Sequence, residues 1–180
     1  MQAGVSGVGH YLLAAAVADP ASCEPMRDLL RALLPKGKIR LHWRDEDDSL
    51  RVRIADAVAD LDLTALVVVG QGYAARRQER ARRVCMERLF FELENMGTSA
   101  ITLESRTPSL NAKDLAMVAG LRGQGSLKGV RVAFGLSSAE PMLWIPDAVA
   151  GAVGAARAGR AGTALARMGA VVEEITIVVR

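Results

Sequence analysis

Two uncharged apolar runs, Tyr11–Ala18 (Tyr-Leu-Leu-Ala-Ala-Ala-Val-Ala) and Leu63–Gly70, limit what this chain can become. Each is far shorter than the ~20 residues that span a membrane as a helix. Each reads instead as a strand covered on both faces. The two are predicted to be fully buried and to pair with one another. Tyr11–Ala18 is also the size of a signal-peptide core, but no Lys or Arg precedes it. It is therefore expected to be a strand and not a leader, and the protein is expected to be cytoplasmic with no membrane partner.

Helical spacing separates the apolar runs. Pro20–Leu34 places Met26, Leu29, Leu30, Leu33 and Leu34 on one side and stops at Pro35-Lys36-Gly37. Ile39–Trp43 reads as a short strand and Arg44–Asp48 as a charged loop. Ser49–Leu61 has helical spacing at Leu50, Ile54, Val58 and Leu61, with Asp47 or Asp48 as its cap. A long helix over Ala74–Met96, a strand at Ala100–Glu104, a helix at Leu110–Leu121, a strand at Val130–Leu136, a helix at Leu143–Arg157 and a strand-like run at Val171–Val179 complete the order. Alternating strands and helices predict an α/β fold. The length of 180 residues suits one domain. With 51% apolar and only 4% aromatic residues, the core must be built from Ala, Val and Leu.

Composition also narrows the chemistry. Cys23 and Cys85 are too few and too far apart for a disulfide framework or a zinc site, so free thiols are expected. His10 and His42 cannot make a His-rich metal centre. Gly120–Gly129 lacks the phosphate-loop pattern and reads as a turn. Gly151-x-x-Gly154 reads as close packing of a helix onto the sheet. The net charge of +3 permits nucleic acid without demanding it.

Two acids stand out. In Glu140–Val153, Asp147 opens a helix of small apolar residues, and Pro146 suits its first position. Asp147 there serves either the helix dipole or a site. Glu104 ends a strand, where functional groups of open α/β sheets sit. Their carboxylates are predicted to converge, within reach of one shared cation. A basic face is the third feature. Arg76, Arg80 and Arg83 share one side of the long helix and suit phosphate contact or plain solvation, and Arg106 adds charge beside Glu104. His42 precedes a run of acids, Asp45 to Asp48, which cap a helix or offer oxygens to a cation without EF-hand spacing.

Leu103-Glu104-Ser105-Arg106, then Pro141-Met142-Leu143-Trp144-Ile145-Pro146-Asp147-Ala148, together with His42-Trp43 and the Arg-rich start of the long helix, resemble the actinobacterial branch of the family called "domain of unknown function 3800". The resemblance covers nearly the whole chain. It implies a single ribonuclease H-like domain over 1–180, a mixed sheet flanked by helices, with an insertion at about 20–61. It also implies a metal-dependent nuclease. Mg²⁺ or Mn²⁺ would be held by Glu104 and Asp147, with Asp45 or Glu46 as looser matches. Two such ions stabilise the attacking and leaving oxygens of a phosphodiester. The basic residues Arg76, Arg80, Arg83 and Arg106 would hold nucleic acid. The family opens with a strand ending Asp-Glu-Ser, and no acid precedes Asp19 here. The sheet is therefore expected to lack that strand, and metal-dependent cleavage by this chain is expected to be slight. The competing expectation is an inert scaffold of the same fold that binds nucleic acid or a protein.

Overall fold

The computed structural model describes residues 9–73, 77–160 and 162–179. Its centre is β2 (Leu63–Tyr73), which pairs antiparallel with β1 (Gly9–Ala18) and parallel with β5 (Val172–Val178). The predicted pairing of the two apolar runs holds from Tyr11↔Gly70 to Ala18↔Leu63. Burial is unequal, however. Ala65–Gly70 are buried, whereas from Leu12 to Ala18 only Leu13 is. Among the described residues β1 pairs with β2 alone, so it is an edge strand, and its small side chains leave its backbone half covered.

Period two assigns the faces of this sheet. Leu12, Ala14 and Ala16 of β1 join Ala65, Val67 and Val69 of β2 on one side. That side is covered by α1 (Cys23–Ala32), α2 (Asp48–Ala59), α5 (Trp144–Arg157) and α6 (Thr163–Met168). Tyr11, Leu13, Leu66 and Val68 face α3 (Gln78–Asn95) and α4 (Pro108–Gly123) on the other side. The architecture is a mixed three-stranded sheet flanked by helices. The expected single sheet is in two pieces. β3 (Ala100–Glu104) and β4 (Arg131–Gly135) form a separate parallel pair. Both packings share the α3 side of the core, where Ile101, Leu103 and Val132 join Phe90 and Leu93.

The helices match their patterns with shifted ends. Asp47 is the cap of α2, accepting the Leu50 N–H at 2.8 Å. Ile39–Trp43 is not a strand. The His42 N–H goes to the Glu46 side chain and the Trp43 N–H to Asp147, so those donors never enter a ladder. The chain then turns through a 3₁₀ helix at Trp43–Asp45. Pro146 is the third residue of α5 and not the first, because the helix begins at Trp144 behind a 3₁₀ turn, Pro141–Leu143. A missing N–H is still harmless there, within the first four donors. The short α6 has no counterpart in the predicted elements.

Cys85 is fully buried on α3, and burial pushes its thiol up to about 11. Cys23 is partly exposed. At pH 8 a thiol-alkylating reagent should therefore label Cys23 alone in the folded protein, and Cys85 only after unfolding. Mass spectrometry of time points checks this; equal labelling of both in native buffer would contradict it.

Candidate functional site

The site is assembled by three segments that meet at the C-terminal end of β3. Glu104 is the last residue of that strand. Asp147 sits in the first turn of α5. The third segment is Lys38-Ile39-Arg40-Leu41-His42-Trp43, whose backbone is extended at His42. Leu41 and Trp43 go into the core, which leaves Arg40 and His42 on the opposite side.

These residues enclose a small cavity of about 90 Å³, lined by Glu104, Asp147, Arg40 and His42, with Leu41, Leu143, Ser137 and Trp144 as its walls. Glu104 and Asp147, predicted to come within reach of one cation, line the same cavity. Ligand pockets for whole small molecules run to roughly 300–1,000 Å³. This one admits a single group, with the rest of a substrate outside.

Asp147 Oδ2 accepts the Trp43 main-chain N–H at 2.8 Å and His42 Nδ1 at 2.9 Å. A carboxylate that takes a main-chain N–H is an acceptor, so His42 Nδ1 carries the hydrogen. His42 Nε2 is the ring nitrogen left for the cavity. Glu104 is half-buried and has no hydrogen-bond or ion-pair partner among the described residues. Arg40 Nη1 donates to Ser137 Oγ at 3.0 Å, and the Trp144 indole donates to the Ser137 carbonyl at 2.6 Å. The approach to α5 is held from α1. Arg27 donates Nε and Nη2 to the two oxygens of Glu140 at 2.8 and 2.9 Å, and Glu140 caps the Met142 N–H. Burial works against the Glu140 charge, yet these bonds hold its carboxyl below the ordinary carboxylate range.

The other candidates lie elsewhere. Asp45 is exposed, and Glu46 is buried against Lys38 while accepting the His42 N–H; neither lines the cavity. Arg76 lies outside the described residues. Arg80 and Arg83 are exposed on α3. Arg106 turns back into the fold, pairing Glu79 at 2.8 Å and Asp114 at 2.7 Å. Asp114 also takes a two-pronged bond from Arg82 at 3.0 and 2.8 Å. Arg40 was not among the candidates. The alternation of Lys38, Arg40 and His42 with Ile39, Leu41 and Trp43 is the signal that finds it.

The donor set does not fit a metal centre. One oxygen of Asp147 is already shared by two donors, which leaves a cation Glu104 and Asp147 Oδ1. Mg²⁺ asks for a near-octahedral shell. Among the described residues no three His, Cys, Asp or Glu side chains gather as ligands. No helix among the described residues is long and apolar enough to cross a membrane. No protein-family model, no characterised protein and no solved structure matches the chain.

Proposed function

We propose that this chain is a nuclease-like protein of ribonuclease H-like plan, which cleaves phosphodiester bonds at the Glu104–Asp147 cavity. One observation carries this. A strand-end carboxylate and a helix-start carboxylate meet in a cavity of single-group size beside a guanidinium and an imidazole. The element order supports the plan: antiparallel β1 and β2, then α3, then parallel β3 and β4 joined by α4, then α5. Arg80 and Arg83 give α3 an exposed basic stripe for the polymer backbone.

A second function, an inert scaffold that binds nucleic acid or a protein, is favoured by the engagement of Asp147. Its Oδ2 is engaged by His42 Nδ1 and the Trp43 N–H. Labelled single-stranded RNA, DNA and hybrid, each with Mg²⁺, Mn²⁺ or EDTA, separate the two. Cleavage that is lost in Glu104→Gln is the expected result, with little gained from added metal. The double variant Arg80→Ala, Arg83→Ala should weaken binding and flatten its salt dependence, since fewer counterions are released. Binding without cleavage of any substrate would leave the scaffold.

A further inference from the structure

The geometry points to an acid–base site that cleaves RNA through its own 2′-hydroxyl, with Glu104 as base, His42 as acid and Arg40 on the phosphate; this rests on the phosphodiester function proposed above. The donor set just described falls short of a metal pair, and a metal pair is what activates water and stabilises a leaving oxygen in metal-assisted hydrolysis. RNA removes the first need. Its nucleophile is tethered beside phosphorus, and tethered nucleophiles reach effective molarities of roughly 10⁵–10⁸ M. What remains is to take one proton, give another and hold the phosphate.

The cavity supplies all three. Glu104 is a carboxylate with no partner among the described residues, so its lone pairs are available to a hydroxyl. His42 lines the cavity and is held at Nδ1 by Asp147, so the proton it can give, in its protonated form, is the one on Nε2. Arg40 spends one nitrogen on Ser137 and keeps its remaining donors for phosphate oxygens. In the step, Glu104 takes the 2′-hydroxyl proton while the 2′-oxygen bonds to phosphorus. The bond from phosphorus to the 5′-oxygen breaks, and His42 Nε2 gives its proton to that oxygen. A 2′,3′-cyclic phosphate and a 5′-hydroxyl leave. Solvent then takes the proton from Glu104 and returns one to His42. Asp147 touches no reacting atom; it is a positioning residue for the imidazole.

The test uses the whole chain, a labelled single-stranded RNA, and the same RNA with 2′-deoxyribose at the cleaved position, all in EDTA. The RNA should be cut to a cyclic phosphate end and the deoxy substrate left intact. Glu104→Gln and His42→Asn should each lower the rate about 10²–10⁴-fold, the usual share of one acid or base. Asn at 42 keeps a donor toward Asp147 while removing Nε2, and circular dichroism confirms that each variant is folded. Arg40→Gln should raise KM more than it lowers kcat. In Asp147→Asn, ¹⁵N shifts of the His42 ring should show loss of the single Nδ1–H tautomer. Cleavage that EDTA abolishes and Mg²⁺ restores, or equal cutting of the deoxy substrate, overturns the acid–base site while leaving the phosphodiester function standing. No cleavage of any substrate in any buffer overturns both.

Discussion

Asp114→Ala should cost about 3–5 kcal/mol, the usual loss when one partner of a buried ion pair is removed. Asp114 is only 4% exposed and lies between two guanidinium groups, Arg82 and Arg106. Arg82 is itself 5% exposed and also hydrogen-bonds Tyr11 of β1. Removing the carboxylate leaves the buried Arg82 guanidinium without its acid, while Arg106 keeps Glu79. Domains of this size carry only about 5–15 kcal/mol of stability, so the variant should sit near its threshold. Urea unfolding followed by circular dichroism measures the loss. The double variant Arg82→Met, Asp114→Leu should recover part of it, because apolar replacement of a buried pair is often neutral. A loss under 1 kcal/mol for Asp114→Ala would mean that the network contributes little.

Gly151→Ala is expected to destabilise by about 1–3 kcal/mol, the range for overpacking a core. The sign is what makes this informative. Within a helix, Gly to Ala ordinarily gains roughly 0.5–1 kcal/mol. At position 151 of α5, an added Cβ would lie 2.0 Å from Trp43 Cδ1 and 2.4 Å from Cγ. The indole is buried in the core and held from above by Arg51, whose Nε donates to the Trp43 carbonyl. It has nowhere to go. Displacing it would also shift the Trp43 N–H and His42 away from Asp147, so the proposed cleavage should fall along with stability. In a double-mutant cycle, Trp43→Leu should relieve the clash and give a large coupling with Gly151→Ala. A Gly151→Ala variant as stable as the parent would show that the helix and indole slide apart freely.

The same indole shows where reading by pattern stops. Leu41 and Trp43 alternate with Arg40 and His42 as a strand would, and their burial follows that alternation. Yet no strand forms, because the Trp43 N–H finds its partner 104 residues away at Asp147. Asp147 itself was legible as a helix-start carboxylate and Glu104 as a strand-end one. Their shared cavity follows from the order of elements. That Asp147 serves an imidazole was not legible, since His42 has no local signal for a partner so distant. Arginines 80, 82 and 83 pose a similar problem. Neighbours in a charged run look alike, and only Asp114, 32 residues on, draws Arg82 inward while Arg80 and Arg83 remain exposed.

By itself the sequence determined whatever depends on neighbours within a few residues. That includes the two apolar strands, the Asp47 cap, the helical stripes and the placing of one acid at a strand end and one at a helix start. Hydrophobic period and capping are local, and local chemistry is written residue by residue. Only the tertiary structure decided which donors and acceptors meet. It broke the sheet between β1 and β3, took the Ile39–Trp43 segment out of any ladder, turned Arg106 inward and joined His42 to Asp147. Each outcome turned on a partner far along the chain, and a buried polar group takes whichever partner the packing of the whole brings within hydrogen-bonding distance.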